Sequence, residues 1–156
     1  EIPKHSLKRI PSLLFVCTGN TCRSVMAEFL TRRRFGNAFN VCSAGIRPGK
    51  PDDAKNAIET LRKEFALDAS GHDPRDVKAL DLEAFDHVIA LDKYVVKKLK
   101  TLTKREVITW HINDPFGDDL LEYKQCALKI MQRVERLAPD IFSRNEKRHA
   151  QSRGRG

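Results

Sequence analysis

Much is scarce in this 156-residue chain: four cysteines, two Tyr and one Trp. No apolar run approaches the ~18 residues that a membrane span needs. The longest core-like run, Leu13 to Cys17, is only strand-sized. Residues Glu1 to Ser12 lack the apolar stretch of a signal peptide. Cys17, Cys22, Cys42 and Cys126 are too sparse for the disulfide framework of a small secreted domain. A reducing cytoplasmic location is therefore expected. No second close Cys/His pair follows Cys17-x4-Cys22, which argues against a zinc module. No Gly-Lys-Ser/Thr follows Gly19, which excludes the ATP-binding phosphate loop. There are no internal repeats.

What is present describes a folded domain. Hydrophobic residues make up 40% and charged residues 32%, a balance that separates the chain from disordered ones. A chain of this size can bury roughly 68–70% of its unfolded surface in one core. The 29 Lys and Arg exceed the 21 Asp and Glu, for a net charge of +8, which suggests an acidic partner. The excess gathers at the ends. Lys4, Lys8 and Arg9 lie in the first twelve residues, and Arg144, Lys147, Arg148, Arg153 and Arg155 in the last thirteen. Residues 1–12 and 143–156 read as flexible basic tails flanking a domain at 13–142. The body is then less basic, and neither nucleic acid nor a membrane is the expected partner.

Between the tails, strand and helix patterns alternate. Ser12 to Cys17 is a short apolar run that ends in a loop carrying Gly and Asn, as a buried strand does. Val25, Met26, Phe29, Leu30 and Phe35 follow a helix period from Ser24, and Gly36-Asn37 stops it. Asn40 to Ser43, Phe85 to Leu91 and Glu106 to Trp110 read as further strands. Asp53 to Leu67, Lys93 to Leu102 and Asp119 to Ile141 read as helices. In the last, Leu120, Leu121, Leu128, Met131, Val134, Leu137 and Ile141 are expected to face inward. The expected fold is a single α/β domain with a four-stranded, mainly parallel sheet and helices on both faces. Ligands in such folds sit beyond the carboxyl ends of the strands. The loops after strands one, two and four should therefore meet.

The first of these loops reads Cys17-Thr18-Gly19-Asn20-Thr21-Cys22-Arg23-Ser24. It leaves a strand and opens a helix, so successive N–H groups can form an anion cradle. Gly19 and Asn20 tolerate the left-handed geometry of a tight nest. Cys17 would lie at the bottom, where those N–H groups and Arg23 favour a thiolate. The planar fork of Arg23 can hold two oxygens of a phosphoryl group. Ser24 can donate a hydrogen bond to the sulfur. Together these residues describe a thiolate attacking phosphorus. Such a transfer needs a general acid for the leaving group. His111-Ile-Asn-Asp114-Pro115-Phe116-Gly117 lies on the correct loop, and Pro115 stiffens the chain after Asp114. Asp118 and Asp119 are better placed to cap the following helix, with Glu122 available for a capping box. That leaves Asp114 for the acid.

Cys17-Thr-Gly-Asn-Thr-Cys-Arg-Ser24, Ala27-Glu28, Ser43-Ala44-Gly45 and Asp114-Pro-Phe-Gly117 occur in an order that resembles the low-molecular-weight protein tyrosine phosphatase family. The resemblance runs from about Leu13 to Leu137. It implies a cysteinyl-phosphate intermediate on Cys17, phosphate binding by Arg23, and Asp114 as acid and then base. It implies no metal and no cofactor, a phosphorylated protein substrate, inorganic phosphate as product and inhibitor, and a monomer. It also implies that Asn20, Ser24, Ser43 and His72 stiffen the loop. Arg75 is expected to be structural.

The departures bear on the substrate. Val25 stands where the family usually has Pro. Tyrosine-specific members line the pocket with apolar and aromatic residues that stack on a flat ring. Here the variable loop positions are Thr18 and Thr21, the loop after Gly45 has no Trp, and the acid loop offers Phe116 as the one wall residue. In this the chain resembles the bacterial protein arginine phosphatase branch. Phosphotyrosine or another aryl phosphate is the leading expectation and phosphoarginine the alternative. An arsenate reductase is a lesser alternative, because residues 68–90 contain no cysteine for a relay pair. Cys22 has two readings, a buried small residue or a redox partner that traps oxidised Cys17 as a disulfide. Cys42 and Cys126 read as packing residues.

Overall fold

The computed structural model describes residues 9–141, 143 and 144. Eight principal elements alternate: β1 (Ser12–Cys17), α1 (Arg23–Phe35), β2 (Asn40–Gly45), α2 (Lys55–Phe65), β3 (His87–Ala90), α3 (Lys93–Leu99), β4 (Ile108–Thr109) and α4 (Leu120–Glu135). Short 3₁₀ turns at Gly36–Ala38, Pro51–Ala54, Val77–Ala79 and Leu82–Ala84 join them. The strands form one parallel sheet in the order β2-β1-β3-β4. The expected α/β architecture is therefore present. Most of the two basic segments at the ends lies outside the described residues.

Alternation along β1 divides the core. Leu13, Phe15 and Cys17 point to the face covered by α1, α2 and α4. Leu14 and Val16 point to the face covered by α3 and the turns around Val77 and Leu82. The register pairs Cys17 with Gly45 at the ends of β1 and β2. Chain order reverses around β1, since β2 lies on one side and β3 on the other. That reversal opens a crevice at the carboxyl end of β1, where Cys17 stands.

The last helix corrects the sequence reading twice. A turn at Arg136 separates α4 from helical residues 137–141, where one helix was expected. Val134, Leu137 and Ile141 are buried as expected, but the buried face of the first turns is different. Tyr123, Cys126, Ala127, Ile130 and Val134 are buried, followed by Leu137 and Ile141. Leu120, Leu121 and Leu128 are exposed, and Met131 is only partly buried. Two apolar stripes compete on this helix. Packing on α1 and α2 selects the one that places Cys126 against Cys22, although leucine is the more apolar residue.

Candidate active site

The loop between β1 and α1 is shaped by bonds to its outer side. The carbonyls of Cys17, Thr18 and Gly19 accept from the N–H groups of Ile46, Arg47 and Gly49 at 3.1, 2.8 and 2.9 Å. In a trans peptide the N–H points opposite to its carbonyl, so this strap turns N–H groups of the same units the other way. Asn20 has φ 54°, the left-handed conformation expected of it. The close fit needs Gly45, where a Cβ would stand 2.8 Å from Thr18 O and 2.9 Å from both Asn20 N and Gly19 C. Thr21 is buried, with its hydroxyl against Gly19 and its methyl against Gly49.

Cys17 and Ser24 meet, Sγ to Oγ, at 2.9 Å. Asn20 Nδ2 donates to Ser24 Oγ at 2.8 Å and to Ser43 Oγ at 2.9 Å. His72 Nε2 donates to the Asn20 carbonyl at 2.7 Å. The four residues expected to stiffen the loop are thus brought together. Arg75 contributes backbone: its N–H donates to Asn20 Oδ1 at 2.9 Å, and its carbonyl accepts from Gly45 N at 2.8 Å. All four cysteines are free thiols.

Arg23 is 2% exposed and turns toward two aspartates. Its Nη1 donates to Asp92 Oδ2 at 2.6 Å and to the Ile112 carbonyl at 2.9 Å. Its Nη2 lies 3.6 Å from Asp114 Oδ2 and 3.5 Å from Thr18 Oγ1. Its Nε is buried with no protein acceptor, a spare donor of the kind a phosphoryl oxygen would use. Burial works against the guanidinium charge, but Asp92, Cys17 and Asp114 outweigh it and hold the group firmly cationic. Burial likewise opposes the charge on Asp92. Bonds from Arg23 and the Val95 N–H prevail, so its carboxyl sits below the usual range.

Asp114 is 42% exposed, and its Oδ1 accepts from Phe116 N at 3.0 Å. Phe116 is exposed, and Gly117 takes φ 88° to turn the chain. Asp119 Oδ1 caps α4 through Glu122 N at 3.0 Å, which leaves Asp114 uncommitted to the helix. Cys22 is buried behind the loop. Burial pushes its thiol up, and its hydrogen bond to Cys126 pushes the same way. Cys126 in turn reaches the Asn113 carbonyl at 3.7 Å. Cys42 is half-buried, and Arg75 Nη1 approaches its sulfur at 2.6 Å.

Asp92 escaped the sequence reading, and Glu28 entered it only as part of the resemblance, without a role. Asp92 stands two residues past the end of β3 and caps α3, so the rule about strand carboxyl ends pointed to it as well. Glu28 lies one helical turn beyond Ser24, a spacing that places both on one face. It is buried and accepts from Ser43 Oγ at 2.5 Å.

Residues 12–149 match the model of a family described as low molecular weight phosphotyrosine protein phosphatase. An arsenate reductase of Brevibacillus brevis is 30% identical over 81% of this chain and 93% of its own length. A protein-arginine-phosphatase of Geobacillus stearothermophilus is 29% identical over 83% of this chain and 95% of its own. The crystal structure of a low molecular weight protein tyrosine phosphatase from T. tengcongensis superposes with a TM-score of 0.75, at 29% identity, over 83% of this chain and 99% of the other.

Proposed function

Because the chain belongs to the low molecular weight phosphotyrosine protein phosphatase family, we propose that it hydrolyses phosphotyrosine, or another aryl phosphate, on phosphorylated proteins. The observation that carries this reading is that one short loop holds Cys17 against Ser24 at 2.9 Å and turns Arg23 to within 3.6 Å of Asp114 and 3.5 Å of Thr18 Oγ1. Cys17 Sγ attacks phosphorus while the bond from phosphorus to the leaving oxygen breaks. Asp114 gives its proton to that oxygen. Arg23 and the loop N–H groups hold the three equatorial oxygens. Water then attacks the cysteinyl-phosphate, Asp114 takes up the water proton, and the sulfur leaves as a thiolate that accepts from Ser24. Inorganic phosphate is released. Sparse cysteine usage suits a reducing cytoplasm. Among the described residues no helix is long and apolar enough to cross a membrane.

Phosphoarginine is the second reading. It is favoured by Thr21, a hydroxyl-bearing residue at a variable position of the loop, and by the relative named as a protein-arginine-phosphatase. Arsenate reduction has a relative in its favour and the absence of cysteine from residues 68–90 against it. One set of assays separates the three: nitrophenyl phosphate, phosphotyrosine peptide, phosphoarginine peptide and thiol-coupled arsenate reduction, each with a chelator present. Release of phosphate from the aryl substrates supports the proposal. Turnover of arsenate alone overturns it.

A further inference from the structure

Asn20 is held at three points that fix its amide. The Arg75 N–H claims Oδ1, so both Nδ2 hydrogens go to the hydroxyls of Ser24 and Ser43. A hydroxyl has one hydrogen of its own. That of Ser43 goes to Glu28 Oε1, since a carboxylate only accepts. That of Ser24 is then left for the Cys17 sulfur, 2.9 Å away. Every donor in the row Ser43–Asn20–Ser24–Cys17 thus has one assigned direction.

The opposite arrangement is also chemically possible. With its amide turned over, Asn20 Oδ1 would accept from both serines. The Ser24 hydrogen would then point away from the sulfur. Two groups oppose that state, the Arg75 N–H and the Glu28 carboxylate. Glu28 is itself clamped, because Arg32 Nη1 meets its Oε2 at 2.5 Å and Arg32 Nη2 donates to the Val41 carbonyl at 2.8 Å. Arg32 reaches this clamp from the surface, being about half exposed, whereas Glu28 is buried.

We propose that Glu28, held by Arg32, is a positioning residue that directs the Ser24 hydrogen onto the Cys17 sulfur. This rests on the cysteinyl-phosphate reading above. Donation to sulfur matters most when sulfur leaves. Glu28 should therefore act on breakdown of the cysteinyl-phosphate rather than on its formation, where the thiolate attacks. In the breakdown step the S–P bond breaks, its electron pair returns to Cys17, and Ser24 stabilises the resulting thiolate without giving up its proton.

The test is pre-steady-state release of nitrophenol from nitrophenyl phosphate by the full chain. Wild type should show a burst followed by a slower steady rate. Glu28→Ala should keep the burst, lower the steady rate by about 10- to 100-fold as expected for one lost hydrogen bond to a charged group, and lower KM with it. Glu28→Gln should recover most of the lost rate, since its amide oxygen can still accept from Ser43. Glu28→Ala combined with Ser43→Ala should be no slower than the slower single variant. A Glu28→Ala enzyme with an unchanged steady rate, or with burst and steady rates reduced alike, overturns the proposal. If Glu28→Ala does not fold, Arg32→Gln, at the surface end of the clamp, decides by the same split. Absence of nitrophenol release from wild type would instead overturn the functional reading itself.

Discussion

Arg23 Nη1 donates to Asp92 Oδ2 at 2.6 Å, while Asp92 Oδ1 accepts from the Val95 N–H at 2.8 Å. One carboxylate thus caps α3 and steadies the guanidinium. Asp92→Asn keeps a capping oxygen and loses the charge, and Asp92→Ala loses both. Denaturant unfolding should rank wild type, then Asn, then Ala, with the cap itself contributing about 0.5–2 kcal/mol.

The same pair has a pH signature. The Asp92 carboxyl is held below its ordinary value, near 3.9 in an unfolded chain. Its charge therefore adds stability that is fully present above the unfolded value. That stability is lost as pH falls through the lower, folded value. The stability gap between wild type and Asp92→Asn should be flat from neutral pH to about pH 5 and close below about pH 4. A gap that widens on acidification would contradict the assignment.

The nucleophile and the phosphate-holding fork are tested together. Cys17→Ser should abolish phosphate release, because serine does not ionise usefully in the cradle. Arg23→Lys should reduce kcat by about 10²–10³-fold, since a point charge cannot replace a two-pronged donor. Normal turnover by either variant would remove that residue from its role.

Asp114→Asn should discriminate by leaving group. Poor leaving groups need the proton, so their transfer should slow by about 10²–10⁴-fold. Nitrophenyl phosphate needs little protonation and should slow far less. Equal losses across a series of aryl phosphates would point to a structural role for Asp114.

Thr21→Ile separates the two substrate readings. If a guanidino group is the natural leaving group, loss of the hydroxyl should cut phosphoarginine turnover sharply and spare or raise phosphotyrosine turnover. If aryl phosphate is the natural substrate, wild type should ignore phosphoarginine and the variant should change little on phosphotyrosine.

Gly45→Ala tests the packing behind the cradle. The new methyl would press on backbone atoms at Thr18, Gly19 and Asn20, all within 2.9 Å. Backbone cannot swing aside as a flexible side chain does, so about 1–3 kcal/mol of stability should be lost. Phosphate affinity should fall with it, measured as the inhibition constant of inorganic phosphate.

Local chemistry was enough to read the strand–loop–helix at Ser12 to Phe35. An apolar run, a loop with Gly19 and Asn20 and a helical period constrain one another within a few turns of chain. The same holds for the capping role of Asp119, which sequence position next to the last helical period indicated. The α/β order followed from alternating periodicities. Tertiary structure decided what depends on surroundings that no local window contains. It chose the Tyr123 and Cys126 stripe of α4 over the leucine stripe, because burial is set by the face that packs on α1 and α2. It tied Arg23 to Asp92, 69 positions along the chain, because the parallel sheet places the ends of β1 and β3 side by side. It also closed the row from Glu28 to Cys17, whose direction depends on hydrogen bonds contributed by four separate segments.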